Sequence, residues 1–595
     1  MLRKWPAMYA TSIHGKYATS IHEKYAMNKR LRKQWIFPGF PFPCMGSKLE
    51  VTFDHEALPR PLRFNVKCFT VVSLDLIRSF FLHPVVQCII TMPVTRRHQV
   101  VIIGAGFAGL GAAQRLLSDS SKRFDVTVLE GSSKVGGRIK SVTFSGGCKV
   151  ELGATFLYHF PSFNSLGEYV QAKGFADEIE DFFDELEDAD YSAVRLLSSG
   201  GKLPRDMVKH YQNMYFKVQE ELRDRARRGD WNFTFDNKWG KAEHVNLREI
   251  SYEEYMAKIL DSILDSGVDM NGYSAAREQK SIFESLNLYE AFMNGTTRSK
   301  NVELTTYGDF AFPNGQLALK GSYQDIADTI ARDLPPPSLH LNSEVQSVQW
   351  TPRVNSDEKQ LPGIPPVTIV CKNGSTFQAD HVIVTVSLGV LQQNCDPSVS
   401  SGFFIPQLPQ GKLSSIMKLG MGKGCRVALE FPRPLIDGKH RSIELYWLEN
   451  ELDKQFLLQY PWVRRQYILL HAEESNVYAS WFSGEEAVAV EKVTDFELTN
   501  GMCLMLEKFL QKPISRPIRI ERSTWCGDKL FLGSYSYQHT GSSVLDREVL
   551  SQPVSGSTPL QLLFAGEATH PTLYSTTNGA YESGIREADR LLNTF

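Results

Sequence analysis

Three glycines at G-x-G-x-x-G spacing, Gly104, Gly106 and Gly109, follow directly on the apolar run Val100-Val101-Ile102-Ile103. Past them, Glu130 closes a second apolar run, Val126-Thr127-Val128-Leu129. Glycines let backbone N–H groups approach a pyrophosphate, a helix N-terminus adds positive partial charge, and a strand-end carboxylate accepts ribose hydroxyls. The chemistry implied is binding of a dinucleotide, with Gly104, Gly106, Ala108, Gly109 and Glu130 as contacts.

Further candidates lie in three blocks. Gly136-Gly137-Arg138, with Lys134 ahead of it, suits a second loop closing over the pyrophosphate, where a guanidinium meets phosphate or the edge of a ring. Glu151-Leu152-Gly153-Ala154-Thr155 offers another glycine for close approach. Near the end, Leu562-Leu563-Phe564-Ala565 runs into Gly566-Glu567, a polar loop and a helix from Asn578 whose Ala580, Gly584, Ala588 and Leu592 share one face. That small-residue face is expected to let the helix start close against a flat ring, its positive end facing negative charge on the ring.

The elements needed to position these groups are legible. A small-residue helix starts at Leu110 and completes a βαβ unit with the two apolar runs. Residues from about Ser162 to Tyr307 read as largely helical, and the acidic run from Asp177 to Asp190 as a solvated helix face or a field that steers polycations. A Gly-rich loop from Phe310 leads to a helix from Tyr323 to Leu334, stopped by Pro335-Pro336-Pro337. A meander follows, Val345 to Trp350 and Val367 to Val370, then a turn at Asn373-Gly374. His381 to Val386 returns a parallel strand to the nucleotide sheet. A mixed α/β region fills Gln393 to Arg519.

At 595 residues the chain is too long for one core, and 42% apolar with 22% charged residues is ordinary for a globular protein. A formal net charge of −2 gives no electrostatic case for nucleic acid as partner. Nine scattered cysteines, never in C-x-x-C pairs, suggest neither a disulfide framework nor a metal site, which fits a reducing compartment. Residues 1–97 look foreign to the rest. Tyr9 to Lys16 recurs almost unchanged as Tyr17 to Lys24, and Lys29, Arg30, Arg32 and Lys33 make this tail basic and disordered by composition. The apolar stretch Phe69 to Met92 is interrupted by Asp75, Arg78, His83 and Pro84, so no membrane span is expected. A compact protein is expected to begin at Met92, with what precedes it dispensable.

Taken in order, Gly104 to Gly109, Gly136-Gly137-Arg138-Ile139, Glu151 to Thr155, Thr385-Val386-Ser387-Leu388-Gly389-Val390-Leu391, Gly533-Ser534-Tyr535-Ser536-Tyr537 and Gly566-Glu567-Ala568-Thr569-His570 to Gly579-Ala580 resemble the flavin-containing amine oxidases. The resemblance covers about Gln99 to Phe595, and Tyr574-Ser575-Thr576-Thr577 is most similar to the animal polyamine oxidases. It implies an α/β fold: an FAD-binding Rossmann-type, glutathione-reductase-like domain (98–160, 308–392 and 520–595) interleaved with an α+β substrate domain (161–307 and 393–519). It implies FAD rather than NAD, held without a covalent bond, since no cysteine lies between Thr569 and Gly584. Cofactor contacts implied are Gly104, Gly106, Ala108, Gly109, Glu130, Gly136, Gly137, Arg138, Gly153, Ala154, Thr155, Val345, Gly566, Glu567, Thr576 and Thr577, with Glu567 on the ribityl chain.

The implied reaction is hydride transfer from the α-carbon of a neutral amine to flavin N5. The iminium is hydrolysed to an aldehyde and a shortened amine, and O2 becomes H2O2. The protein supplies orientation and a dry aromatic slot, and no acid–base triad is required. Tyr535 and Tyr537 are expected in the aromatic wall with Trp447 and Trp525 behind them, and Thr576 at substrate or flavin. Two positions depart from the family. Arg426 stands where a lysine usually holds a water against flavin N5, and Phe156-Leu157-Tyr158-His159 puts Tyr158 where the polyamine oxidases carry a substrate-facing histidine. These departures motivate an alternative, a catalytically silent FAD-binding homologue acting as a binding protein. The partners expected are a polyamine and O2, with no nucleic acid, no membrane span and a monomeric chain. The compartment expected is the cytoplasm, because no Ser-Lys-Leu-type peroxisomal ending is present.

Overall fold

The computed structural model describes residues 96–595 apart from 161–162, 182–192, 237–239, 264–274, 312, 314, 353–364, 397, 399–401, 438–439, 452–454 and 473. The tandem repeat, the basic cluster and the expected start at Met92 lie outside the described residues.

Val100, Val101, Ile102 and Ile103 are all buried, so this strand is covered on both faces, as the interior of a parallel sheet requires. His98–Ile103 pairs in parallel with Phe124–Leu129 on one side and His381–Val384 on the other. Leu339–His340 and Leu562–Phe564 close the two edges, also in parallel. Numbered along the chain, the five strands stand in the order 3-2-1-4-5, which puts a reversal of winding beside the first strand. Ligands of such sheets bind at that crevice. Gly104 leaves the first strand there with φ of +105°, and a Cβ on it would lie 2.6 Å from Thr385 Oγ1 of the neighbouring strand's end.

One face of the sheet carries the helices Phe107–Leu117, Tyr323–Arg332 and Thr577–Thr594. The other carries the meander Val345–Trp350, Val367–Cys371 and Thr376–Ala379, whose Val348, Val367 and Ile369 pack with Val101, Ile103 and Val384. The first and last of the three helices touch backbone to backbone. A Cβ on Gly584 would fall 2.0 Å from the carbonyl oxygen of Ala108, and the Tyr581 ring covers Gly111. Arg115 Nε and Asp589 Oδ1, 2.6 Å apart, close the far end of this pair. The small-residue face, expected to let the helix start close against a ring, packs along the glycine-loop helix at Gly584. What it fixes is where the N-terminus of the last helix lies.

A second sheet of six strands holds Arg519–Arg522, Gly424–Glu430, Val477–Ser483, Ile468–His471, Ser442–Tyr446 and Ala193–Leu197 in that spatial order. Its core includes Val427, Leu445, Leu469 and Phe482, covered by the helix Asp495–Leu510. Helices Arg205–Arg228, Tyr252–Ile263 and Ala275–Met293 pack beside it. The region from Ser162 to Tyr307 is less helical than its periodicity implies. It contributes Ala193–Leu197 to the six-stranded sheet, a hairpin of Asn232–Asp236 with Ala242–Asn246, and the strand Ala176–Asp181. Asp177 to Asp181 of the acidic run thus lie on a strand, paired with Gly315–Leu319, and 182–190 fall outside the described residues. Gly315–Leu319 was itself expected to be loop. Its strand character comes from distant upstream partners, Leu157–His159 and Ala176–Asp181, and no local signal announces it. Among the described residues no helix is long and apolar enough to cross a membrane.

His381 is 2% exposed; its Nδ1 donates to Leu560 O at 2.8 Å and its Nε2 faces His98 Nδ1 at 3.1 Å. The ring is therefore held neutral, and burial lowers its pKa to about 4 from 6.5. The unfolded chain binds a proton that the folded one refuses, so stability falls as pH drops from 6.5 toward 4, by on the order of 3 kcal/mol for this residue. Thermal unfolding followed across that range should show a falling midpoint, and His381→Gln should flatten part of the slope. Gly584→Ala should cost about 1–3 kcal/mol in the same assay, because the added methyl meets backbone.

Candidate active site

The glycine loop is built to leave donors open. Helix Phe107–Leu117 starts on Gly106, which has no side chain to cap it, and its first turn carries no acid. The second loop docks on the first: Gly136 N donates to Ala105 O at 2.9 Å, and a Cβ on Gly137 would lie 3.2 Å from the Cα of Gly106. Gly136 and Gly137 have φ of +113° and +66°. Gly109 serves packing, since a Cβ there would meet Gly104 O at 1.9 Å. Glu130 is buried at the end of its strand. Its Oε2 accepts from Ala105 N at 2.7 Å and its Oε1 from Ser132 N at 2.9 Å, so the carboxylate braces the loop and keeps a lone pair on each oxygen for a diol. Val345 follows the turn whose Ser343 N donates to Glu130 O at 2.7 Å. An open helix N-terminus, two interlocked glycine turns and a strand-end acid fit the adenosine and pyrophosphate of FAD.

Gly153 and Ala154 lie against the same loop. A Cβ on Gly153 would fall 2.2 Å from Arg138 O, and Ala154 N donates to that oxygen at 3.3 Å. Arg138 reaches the other way. Its Nη1 donates to Ser534 O at 2.8 Å and to Glu567 Oε1 at 3.0 Å. Glu567, 5% exposed, also receives Ser536 Oγ at 2.6 Å, Ser536 N at 3.2 Å and Ser575 N at 2.8 Å. Burial alone would push this carboxyl up. Arg138, the Ser536 hydroxyl, Arg547 and the Ser575 amide outweigh it and hold the group below the usual glutamate value. Its oxygens accept from all three blocks, so the residue joins them to one another.

The terminal helix begins on Thr576, whose hydroxyl accepts from Gly579 N at 2.9 Å and donates to Leu573 O at 2.7 Å. Thr576 is thus a cap, and the helix's first turn has no acid. Thr577 Oγ1 lies 3.1 Å from Tyr323 OH. Asn578 Nδ2 donates to Tyr158 O at 3.0 Å, tying the helix start to strand Leu157–His159, and its Oδ1 is buried without a partner.

Arg426, on strand Gly424–Glu430, is 7% exposed and aims at the cofactor blocks. Its Nη1 donates to Thr155 Oγ1 at 2.6 Å and to the carbonyl of Glu151, while its Nε is buried with no partner. The guanidinium lies 4.3 Å from the ring centre of Trp481, the residue paired with it on the next strand. Burial lowers its pKa to about 10, with Glu151 opposing the shift, so it stays cationic at neutral pH.

Trp481 begins an aromatic run that sequence reading missed. Its ring centre is 5.4 Å from that of Phe292, which lies 6.4 Å from Tyr467. Tyr535 donates its hydroxyl to Phe292 O and is pushed well above the usual phenol range, by burial first and then by nearby Tyr158 and Cys526. Tyr158 stacks at 6.1 Å on Phe156, which is 40% exposed. Tyr158 lies near enough to Tyr535 to act on its phenol. Tyr537 does not join them: its ring covers Gly420, where a Cβ would lie 2.4 Å away. Trp447 is core, donating to Gln466 O and packed edge-on to Phe509 at 4.8 Å. Trp525 backs the cofactor segment, its Nε1 donating to Leu152 O at 3.3 Å. Cross-strand partners such as Trp481 depend on sheet order, which periodicity does not encode.

Beside this run Glu290 is buried among Gln219, Tyr307 and Asn294, with Gln219 Nε2 and Asn294 Nδ2 each donating at 3.0 Å. Burial pushes its carboxyl up, and does the same to Asp309. Both acids act on the Tyr574 phenol, which burial first of all raises to about 12.

The family described as flavin containing amine oxidoreductase matches residues 107–592. The chain is 30% identical over 555 residues to probable polyamine oxidase 5 of Arabidopsis thaliana, covering 84% of this chain and 99% of that one. It is 29% identical over 520 residues to the human peroxisomal N(1)-acetyl-spermine/spermidine oxidase, covering 84% and 95%. A putrescine oxidase double mutant superposes with a TM-score of 0.58 at 16% identity, over 84% of this chain and 99% of that structure, a likeness of fold. With the glycine loops, the terminal helix and the Arg138–Glu567 junction all in place, the chain belongs to the flavin-containing amine oxidoreductases and is an FAD-dependent amine oxidase.

Proposed function

We propose that the protein oxidises polyamines such as spermine, spermidine or their acetylated forms. The observation that carries this reading is the aromatic run Tyr467, Phe292 and Trp481 ending on Arg426, with Tyr535 hydrogen-bonded to Phe292 O and the buried carboxyl of Glu290 on the same helix as Phe292. Aromatic faces and acids suit a long aliphatic cation. The names of the relatives support the same class of substrate.

FAD, when bound, accepts the hydride from the amine's α-carbon and passes the electrons to O2, yielding H2O2. It would be held by Gly104, Gly106, Ala108, Gly109, Glu130, Gly136, Gly137, Arg138, Gly153, Ala154, Thr155 and Val345, with Gly566 and the start of the terminal helix at Thr576 and Thr577. Segments 98–160, 308–392 and 520–595 serve the cofactor, and 161–307 and 393–519 the amine. Tyr535 is fixed in orientation by Phe292 O, and the aromatic rings exclude water from the slot. Neither Arg426, with its pKa near 10, nor Tyr535 accepts a proton at neutral pH in this setting. The amine therefore has to arrive neutral. We take the enzyme to be a cytoplasmic monomer with the amine and O2 as its partners.

Purified protein incubated with FAD should turn yellow and release H2O2 from at least one of spermine, spermidine and the acetylated forms, with products identified by mass spectrometry. A yellow protein inert to all of them would sink the reading. The ratio kcat/KM should climb with pH as the substrate amine deprotonates, toward an amine value of about 10. Arg426→Lys, which replaces a permanently charged fork by an amine able to deprotonate, should speed reoxidation of the reduced enzyme on mixing with O2. Identical stopped-flow traces would remove any role of Arg426 in that step.

A further inference from the structure

Arg547 is the largest side chain in the molecule's fully buried set, at 0% exposure, and no sequence motif singles it out. It stands on the short helix Val544–Ser551. Its Nε donates to Gln538 Oε1 at 2.8 Å, and its Nη1 donates to Ser536 Oγ at 2.9 Å and to Ala568 O at 3.0 Å. The guanidinium lies 3.8 Å from the ring centre of Tyr574. Among the described residues no carboxylate pairs with it directly, and its Nη2 is buried without a partner. The nearest anion is one hydroxyl away. Ser536 accepts from Arg547 and gives its single proton to Glu567, whose other oxygen is taken by Arg138.

Two guanidinium cations, Arg138 and Arg547, thus share the Glu567 carboxylate, while Arg586 at the terminal loop pairs with Glu587 and the carboxyls of Glu290 and Asp309 act on the Tyr574 phenol. His570, adjacent in the terminal loop, adds no charge: burial first, then Arg586 and Arg547, lower its pKa to about 3. Asp546, next along the short helix, is turned to Ser415 and the Ser543 amide. The N-terminus of the last helix contributes further positive potential. A charge buried as Arg547 is, little screened by water, acts over the whole junction.

We propose that Arg547 is a positioning residue of the flavin site whose buried positive charge, set against Glu567 through Ser536, favours the negatively charged reduced cofactor. The inference rests on the flavin reading above. It places a determinant of redox poise on a side chain that touches neither phosphate loop nor substrate slot, and it explains why, among the described residues, no carboxylate pairs directly with the cation buried there.

Sulfite tests this without turnover, because it adds to flavin N5 and leaves negative charge on the ring. Full-length, FAD-loaded wild type is compared with Arg547→Gln, which keeps donors and loses the charge, and Arg547→Lys, which keeps the charge and loses the fork. Arg547→Gln should weaken sulfite binding on the order of tenfold, with a matching fall in midpoint potential of about 30 mV for a two-electron couple. Arg547→Lys should restore most of both, and the KM for the amine should stay put. Equal sulfite affinity in wild type and Arg547→Gln overturns the inference, as does a loss in Arg547→Lys as large as in Arg547→Gln. Should Arg547→Gln fail to hold FAD, Glu567→Gln, which removes the negative charge set against Arg547, should strengthen sulfite binding, and no shift or a weakening overturns the proposal. A wild type that stays colourless with excess FAD overturns the flavin reading and this inference together.

Discussion

The whole arrangement depends on how closely two helices pass each other. Ala108 O occupies the space where residue 584 would carry a side chain, so the helix Thr577–Thr594 can lie on Phe107–Leu117 only if that residue is glycine. Once the contact is made, two positive helix ends are fixed in one region, one beside the glycine loop and one at Thr576. Sheet order does the rest. The strands from both ends of the chain flank His381–Val384 or each other's neighbours, so the loops that follow them emerge on the same edge.

Electrostatics then tighten what packing brings together. Glu567 is the one carboxylate accepting from the pyrophosphate loop, from the Gly533–Tyr537 run and from the terminal loop at once. An ion pair in such a setting is strong only because further donors satisfy it, and here they do. Its buried position makes it a structural joint between segments more than four hundred residues apart, with |i−j| of 429 for the pair with Arg138.

What was readable in the sequence was what local chemistry encodes. The glycine spacing, the acid Glu130, the second loop at Gly136 to Arg138 and the terminal Gly566-Glu567 block all rest on backbone conformation or strand ends, which residue types and spacing announce locally. The strand returning at His381 was readable too, as an uninterrupted apolar run. Lateral neighbours were not. Trp481 meets Arg426 because two strands are adjacent, Gly315–Leu319 is a strand because distant segments flank it, and the small face of the last helix packs along another helix. Thr576, Tyr537 and Trp447 were right as members of motifs or as aromatics, and the structure gives them capping and core positions that residue type alone does not distinguish.

The 3-2-1-4-5 order of the parallel sheet has a consequence for biosynthesis. While the ribosome is still translating, the first strand and its neighbour at Phe124 have no fourth or fifth strand to pair with, and the glycine-loop helix has no lid until residue 584 has emerged. Long-range pairing of this kind is slow and leaves apolar edges exposed in the meantime. The crevice at the first strand can thus close only after residue 584 has been made, and the apolar edges stay open to chaperones and proteases from the emergence of the first strand until then.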